Sequence, residues 1–196
     1  MKRAIFLDRD GVINRKAREG DYVTRWEDMH ILPGVVAAIA QLNRLDFPVI
    51  VVSNQRCVAK GLITITELER LHERLREHLL ERGARLDAIY YCPHEAEPAC
   101  GCRKPQPGML LRAAREHGID LAASWMIGDS RPDVDAGKRA GCRTALITPG
   151  LEDGSIRPDL TETSLLEIVQ KICKPRQAPL DTDQSLNLTH EIQRQP

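Results

Sequence analysis

The chain has 196 residues, enough for one domain with a substantial core. Its 28 Lys and Arg balance 28 Asp and Glu, which argues against broad electrostatic capture of nucleic acid or of a membrane surface. No apolar run reaches membrane-spanning length and the first strand-like stretch follows Met1 within a few residues, so neither an anchor nor a signal peptide is expected and the cytoplasm is the expected compartment.

In chain order, Ala4-Ile5-Phe6-Leu7 reads as a short buried strand, and Asp8-Arg9-Asp10-Gly11 follows it at once. Residues 15–33 are polar and irregular. Val35, Val36, Ile39, Leu42 and Leu45 recur at helical spacing after Pro33-Gly34. The β-branched run Pro48-Val49-Ile50-Val51-Val52 predicts a second buried strand, ending in Ser53-Asn54-Gln55. An amphipathic helix is expected over 66–82, with Thr66 and Glu69 as a capping box and Gly83 as its stop. Strands are expected at 88–91, 125–127 and 144–147, and helices at 107–117, 132–140 and 165–172. From Pro175 onward no apolar period remains. The expected division is one domain over 1–174 and a polar tail over 175–196, disordered or serving as an interaction segment.

Strands alternating with helices predict an α/β fold, a three-layer Rossmann-like arrangement around a mostly parallel sheet. In such sheets ligands bind beyond the carboxyl ends of the strands. Asp8, Asp10, Ser53, Asn54 and Asp129 all stand at strand ends and are expected to converge on one crevice.

Two acids beside one site suit a hard cation held through oxygen, a nucleophile with a proton-transfer partner, or both; an ordinary strand-to-turn exit has the same local pattern. A third acid, Asp129, adds repulsion that a cation or protonation must relieve, and Mg²⁺ takes one or two carboxylates while keeping waters and bridging to phosphate. Ser53, Asn54 and Lys104 supply neutral and positive donors suited to a transferring phosphoryl group. Asp8 is the candidate nucleophile and Asp10 the candidate acid, then base. Singly, Ser53-Asn54 reads equally as a turn, Lys104 as a solvated lysine and Gly128-Asp129-Ser130 as a helix cap; the set is what points to chemistry.

Asp8-Arg9-Asp10-Gly11, Ser53 after an apolar strand, Lys104 before a helix, and Gly128-Asp129-Ser130 with Asp133 resemble the four ordered motifs of the haloacid dehalogenase-like phosphatases, over roughly residues 4–150. The resemblance implies that the Asp8 side chain, the Asp10 main-chain carbonyl and Asp129 hold catalytic Mg²⁺, with Asp133 supporting the site from behind and Ser130 near its phosphate side.

Cys92-Pro93-His94 and Cys100-Gly101-Cys102 put three thiols and an imidazole within eleven residues, a Cys₃His set suited to structural zinc, although the single-residue spacings are tighter than in common zinc fingers. Four protein ligands leave no open position for catalysis, and a closed site would rigidify the loop and aim Arg103-Lys104. The other histidines, His30, His72, His78, His117 and His190, read as surface or packing residues. The zinc loop running into Cys102-Arg103-Lys104-Pro105, with Ser53-Asn54-Gln55, is similar to the heptose-bisphosphate branch of that family and to its histidinol-phosphate relatives. That similarity implies a small sugar bisphosphate substrate bound by Asp21, Tyr22, Asn54, Gln55, Arg56 and Arg103. No insertion is large enough for a separate cap domain, so an open site in a monomer is expected, and the neutral charge leaves no nucleic-acid or membrane partner expected. Arg56-Cys57 departs from the Ser-Gly common there, and the stretch between His94 and Cys100 is short. Histidinol phosphate remains the alternative substrate. A zinc-stabilised binding module without turnover is the alternative of another class, disfavoured by the few aromatic side chains available for stacking.

Overall fold

The structure is a computed structural model that describes residues 1–97, 99–148 and 156–174; the tail from residue 175 lies outside them. Six parallel strands form one sheet: β1 (Ile5–Leu7), β2 (Val49–Asn54), β3 (Ala88–Cys92), β4 (Trp125–Gly128), β5 (Arg143–Ile147) and β6 (Leu160–Glu162), in the spatial order β3-β2-β1-β4-β5-β6. The helices are α1 (Val35–Arg44), α2 (Ile65–Leu80), α3 (Gly108–His117), α4 (Arg131–Ala140) and α5 (Leu165–Cys173).

Side chains alternate across the sheet, and the two faces own separate cores. Ile5, Leu7, Val49 and Val51 pack with Ile39 and Leu42 of α1, Leu75 of α2 and Ile168 of α5. Phe6, Ile50, Val52 and Met126 pack with Met109, Leu110 and Ala113 of α3 and Ala136 of α4. Central strands buried on both faces explain the unbroken apolar runs of the sequence. The expected three-layer α/β fold is therefore present, and no large cap domain stands among the described residues.

Three details differ from the sequence reading. The cap of helix α2 lies two residues earlier, because Thr64 is its N-cap and Glu67 completes the capping box, not Thr66 and Glu69. The stretch Thr64-Ile65-Thr66-Glu67-Leu68-Glu69 holds two overlapping capping patterns, and packing chooses between them: Ile63 before the cap meets Leu68, the hydrophobic staple of the earlier frame. Strand β2 runs on to Asn54 because Ser53 and Asn54 pair with Tyr91 and Cys92. Strand β6, Leu-Thr-Glu, is too short to show a period and exists through its pairing with β5.

The strand order reverses between β1 and β4, since β2 and β3 lie on one side of β1 and β4 to β6 on the other. Such a switch point opens a crevice at the carboxyl ends of the two strands. The Asp8 N–H donates to Ile127 O at 2.9 Å, tying the end of β1 to β4.

Candidate active site

A crevice of 270 Å³ opens at this switch point, lined among others by Asp8, Asp10, Ser53, Asn54, Lys104, Asp129 and Asp133. Two glycines let its walls meet. Gly11 has φ +95°, and a Cβ there would lie 2.2 Å from Asp129 Oδ2. A Cβ on Gly128 would lie 2.1 Å from the Asp133 Cβ. Both approaches are closer than any side chain permits, so the carboxylates converge only because these positions carry none.

Lys104 is 3% exposed. Its Nζ lies 2.8 Å from Asp8 Oδ1 and 2.5 Å from Asp133 Oδ1, and it donates to Val52 O at 2.8 Å. Burial opposes the ammonium, but the charges of Asp133 and Asp8 outweigh it and hold the lysine well above its usual pKa. Burial pushes the Asp8 carboxyl up to about 7; Lys104 works against that rise, while Asp133 and Asp10 add to it. Asn54 sets the lysine in place: its Nδ2 donates to Lys104 O and its Oδ1 accepts from Lys104 N, both at 3.0 Å.

Asp10 has the opposite balance. Burial raises its pKa, yet the Arg9 charge and bonds from Asn14, Arg9 and Gln55 bring it below the usual carboxylate value. Arg9 Nη2 lies 2.9 Å from its Oδ2, Asn14 Nδ2 donates to Oδ1 at 2.9 Å, and Gln55 Nε2 donates to Oδ2 at 3.0 Å. Gln55 Nε2 also donates to Ser53 Oγ at 2.8 Å.

Asp129 is raised by burial, with a bond and charge from Lys16 opposing; Lys16 Nζ sits 2.8 Å from its Oδ2. Its Oδ1 is buried with no hydrogen-bond partner among the described residues. Asp133 is committed on both oxygens, to Lys104 through Oδ1 and through Oδ2 to Ser130 N at 3.2 Å and Ser130 Oγ at 2.5 Å. Carboxylate oxygens of Asp8, Asp129 and Asp133 lie within 4.8 Å of one another. With Asp133 occupied, Asp8 and the bare Asp129 Oδ1 are the groups that fit a hard divalent cation.

The expected substrate residues divide. Asp21, Tyr22, Asn54 and Arg103 line the crevice, but Gln55 and Arg56 are absent from its walls. Gln55 lies underneath, 2% exposed, bracing Asp10 and Ser53. Arg56 turns outward to pair with Glu95. Arg9 and Lys16 escaped the sequence reading. Arg9 is 1% exposed and also meets His72 Nε2 at 3.0 Å, a burial that a lone arginine between two acids does not advertise. Lys16 carries no local signal at all.

The cysteine loop adjoins this crevice. Cys92, Cys100 and Cys102 have their sulfurs 3.2–3.5 Å apart, and His94 Nδ1 lies 3.6 Å from Cys92 and 3.3 Å from Cys102. A tetrahedral zinc with Zn–S near 2.3 Å separates its sulfurs by about 3.8 Å, so the four groups fit one zinc after a small expansion. Burial pushes Cys92 up to about 12; burial also works against a Cys100 thiolate, but bonds from Arg103 N–H and its neighbours bring Cys100 down to about 6. Arg103 Nη1 donates to His94 O at 3.3 Å, so the loop also steers the arginine.

A parallel sheet with paired acids after β1, a serine ending β2, a buried lysine before α3 and a further acid after β4 defines a hydrolase of the HAD class, and the HAD-hydrolase-like family model matches residues 101–168. A D-glycero-β-D-manno-heptose-1,7-bisphosphate 7-phosphatase of Pseudomonas aeruginosa is 36% identical over 162 residues, 83% of this chain and 90% of that protein. The Escherichia coli K12 protein of the same name is 38% identical, covering 90% of this chain and 96% of that one. A crystal structure of D,D-heptose 1,7-bisphosphate phosphatase from B. bronchiseptica, complexed with magnesium and phosphate, superposes with a TM-score of 0.76 at 34% identity over 88% of this chain and 98% of that one. The chain belongs to the family of these heptose-bisphosphate phosphatases.

Proposed function

We propose that this protein is a Mg²⁺-dependent phosphatase that removes the C7 phosphate of D-glycero-D-manno-heptose 1,7-bisphosphate. The observation that carries the reading is the carboxylate cluster of Asp8, Asp129 and Asp133 with the Lys104 ammonium on Asp8 and Asp133. Its relatives supply the substrate.

In this reading an Asp8 oxygen attacks phosphorus, the bond from phosphorus to the sugar oxygen breaks, and Asp10 protonates the departing alkoxide. Water then attacks the aspartyl-phosphate, Asp10 takes its proton, and phosphate leaves with Asp8 restored. Asp10 is a carboxylate in the free crevice; the charge of the arriving phosphate supplies the upward push that lets it carry a proton. Lys104 neutralises the Asp8 carboxylate so that a phosphate can approach it, and Ser53 offers its hydroxyl to a phosphoryl oxygen. Mg²⁺, held by Asp8, Asp129 and the Asp10 carbonyl, would offset charge on the phosphoryl oxygens. Zinc on Cys92, His94, Cys100 and Cys102 would be structural, fixing the loop that carries Arg103 and Lys104.

The same reading makes the protein a monomer acting on a free sugar phosphate in the cytoplasm, with no nucleic-acid partner. Free cysteines throughout the described residues suit a reducing compartment, and no helix among them is long and apolar enough to cross a membrane.

The test is phosphate release from heptose 1,7-bisphosphate and from histidinol phosphate by wild type and Asp8→Asn. A loss of about a thousandfold or more in the variant is expected for removal of a nucleophile. Near wild-type turnover by Asp8→Asn would sink the mechanism, and a higher kcat/KM for histidinol phosphate would overturn the substrate.

A further inference from the structure

Helix α2 buries Leu68, Leu71, His72, Leu75 and Leu79, the inward stripe of an amphipathic helix. Four of these are leucine, and His72, 4% exposed, is the polar exception. A buried imidazole costs free energy unless it is hydrogen-bonded, so packing alone does not account for it. Its partner comes from the end of β1: Arg9 Nη1 lies 3.0 Å from His72 Nε2, 63 positions away in the chain.

The chemistry of the pair fixes its direction. A guanidinium is always protonated and offers no acceptor, so Arg9 donates and His72 Nε2 holds the lone pair, with the ring proton on Nδ1. Burial, and after it the Arg9 charge, lowers the ring's pKa to about 3 and keeps it neutral. The Tyr91 ring lies against the imidazole with centroids 5.5 Å apart, and its hydroxyl donates to Glu69 at 2.9 Å, so the ring is held from its other side.

Across the planar guanidinium, Nη2 donates to Asp10 Oδ1 at 3.1 Å and to Val23 O at 3.3 Å, and lies 2.9 Å from Asp10 Oδ2. Arg9 Nε is buried with no hydrogen-bond partner among the described residues. The plane of the fork is therefore set by Nη1 and Nη2, and His72 holds the first of them. Asp10 and Val23, held by the second, both line the crevice.

We propose that His72 is a positioning residue, which holds the Arg9 fork so that the Asp10 carboxyl stays aimed at the departing oxygen of the substrate. This rests on the phosphatase reading, in which Asp10 gives that oxygen its proton, and deepens it by extending the catalytic apparatus to helix α2. Asn14 and Gln55 grip Asp10 from other directions, so loss of His72 loosens the acid without removing it.

The experiment compares kcat/KM for heptose 1,7-bisphosphate, whose alkoxide needs a proton to leave, with kcat/KM for p-nitrophenyl phosphate, whose phenolate leaves without one. It uses wild type, His72→Leu and His72→Gln, the last keeping an acceptor for Arg9. A misplaced general acid is expected to lower the His72→Leu value roughly tenfold or more for the sugar ester and less than about threefold for the phenyl ester, with His72→Gln recovering most of the loss. Equal losses on the two esters, no loss on either, or no recovery in His72→Gln overturns the positioning role. NMR of the histidine ring nitrogens in wild type tests the contact without any variant having to fold: a neutral His72 ring protonated at Nδ1 supports it, and a ring protonated at Nε2 at neutral pH overturns it. Wild-type protein that hydrolyses neither ester while His72 shows the expected tautomer would instead overturn the phosphatase reading, and the proposal with it.

Discussion

Lys104 and Asp133 meet at 2.5 Å with side chains 2% and 1% exposed, and the same ammonium reaches Asp8 at 2.8 Å. One buried cation thus holds the end of β1, the first turn of α4 and the loop before α3 around a single point. The pair joins catalysis to stability, because each charge is tolerable in the interior only while the other is present.

Replacing Lys104 by Met is expected to cost about 3–5 kcal/mol, the usual penalty for leaving a buried charge unpaired. Asp133→Asn added to Lys104→Met should recover part of that loss, since it removes a carboxylate left without its partner. Urea unfolding of the two variants and wild type measures both effects. A Lys104→Met cost within experimental error of zero would show that the interior does not depend on this charge.

Mg²⁺ binding should weaken as the solution is acidified. Asp8 is pushed up to about 7, principally by burial, and below that pH it holds a proton that a cation must expel; burial raises Asp129 as well. Affinity is full above about pH 7 and falls roughly tenfold per unit below it for one displaced proton. Calorimetric titration with Mg²⁺ at pH 8, 7 and 6 reads this directly; an affinity constant across that range would contradict it.

Acid should also destabilise the fold through His72. Burial, aided by the Arg9 charge, lowers its pKa from 6.5 to about 3, and its Nε2 faces an Arg9 donor and is therefore unprotonated. A histidine depressed in the folded state contributes stability that is complete above about pH 6.5 and is lost as pH falls toward 3. Between pH 7.5 and 4.5 the loss amounts to about 2–3 kcal/mol. Denaturant unfolding at the two pH values should show a smaller difference in His72→Gln than in wild type.

The purified protein should contain about one zinc per chain, the stoichiometry of one Cys₃His site. Cys102→Ser should lose the metal and lower Tm by several degrees, because the loop has little apolar content with which to hold itself. Metal analysis with a thermal melt decides it. Folded, active protein free of zinc would remove the structural role.

Much of this site was legible in the chain. Each strand-end residue is marked by an apolar run followed at once by Asp8, Ser53 or Asp129, and the thiols of Cys92, Cys100 and Cys102 announce themselves by proximity. Those signals are local, carried by neighbours a few positions apart. The cap of α2 was ambiguous because two patterns overlap, and only the contact of Ile63 with Leu68 separates them.

What the sequence by itself determined is the layered α/β order, the identity of the acids and the chemistry they can support. The tertiary structure alone decided which groups neutralise them. Arg9 lies beneath Asp10, Lys16 crosses 113 positions to Asp129, Gln55 goes underneath the crevice and Arg56 turns away from it. The reason is physical: a carboxylate's reactivity depends on burial and on charges a few ångströms off, and those distances come from the strand order, which no window of neighbouring residues contains.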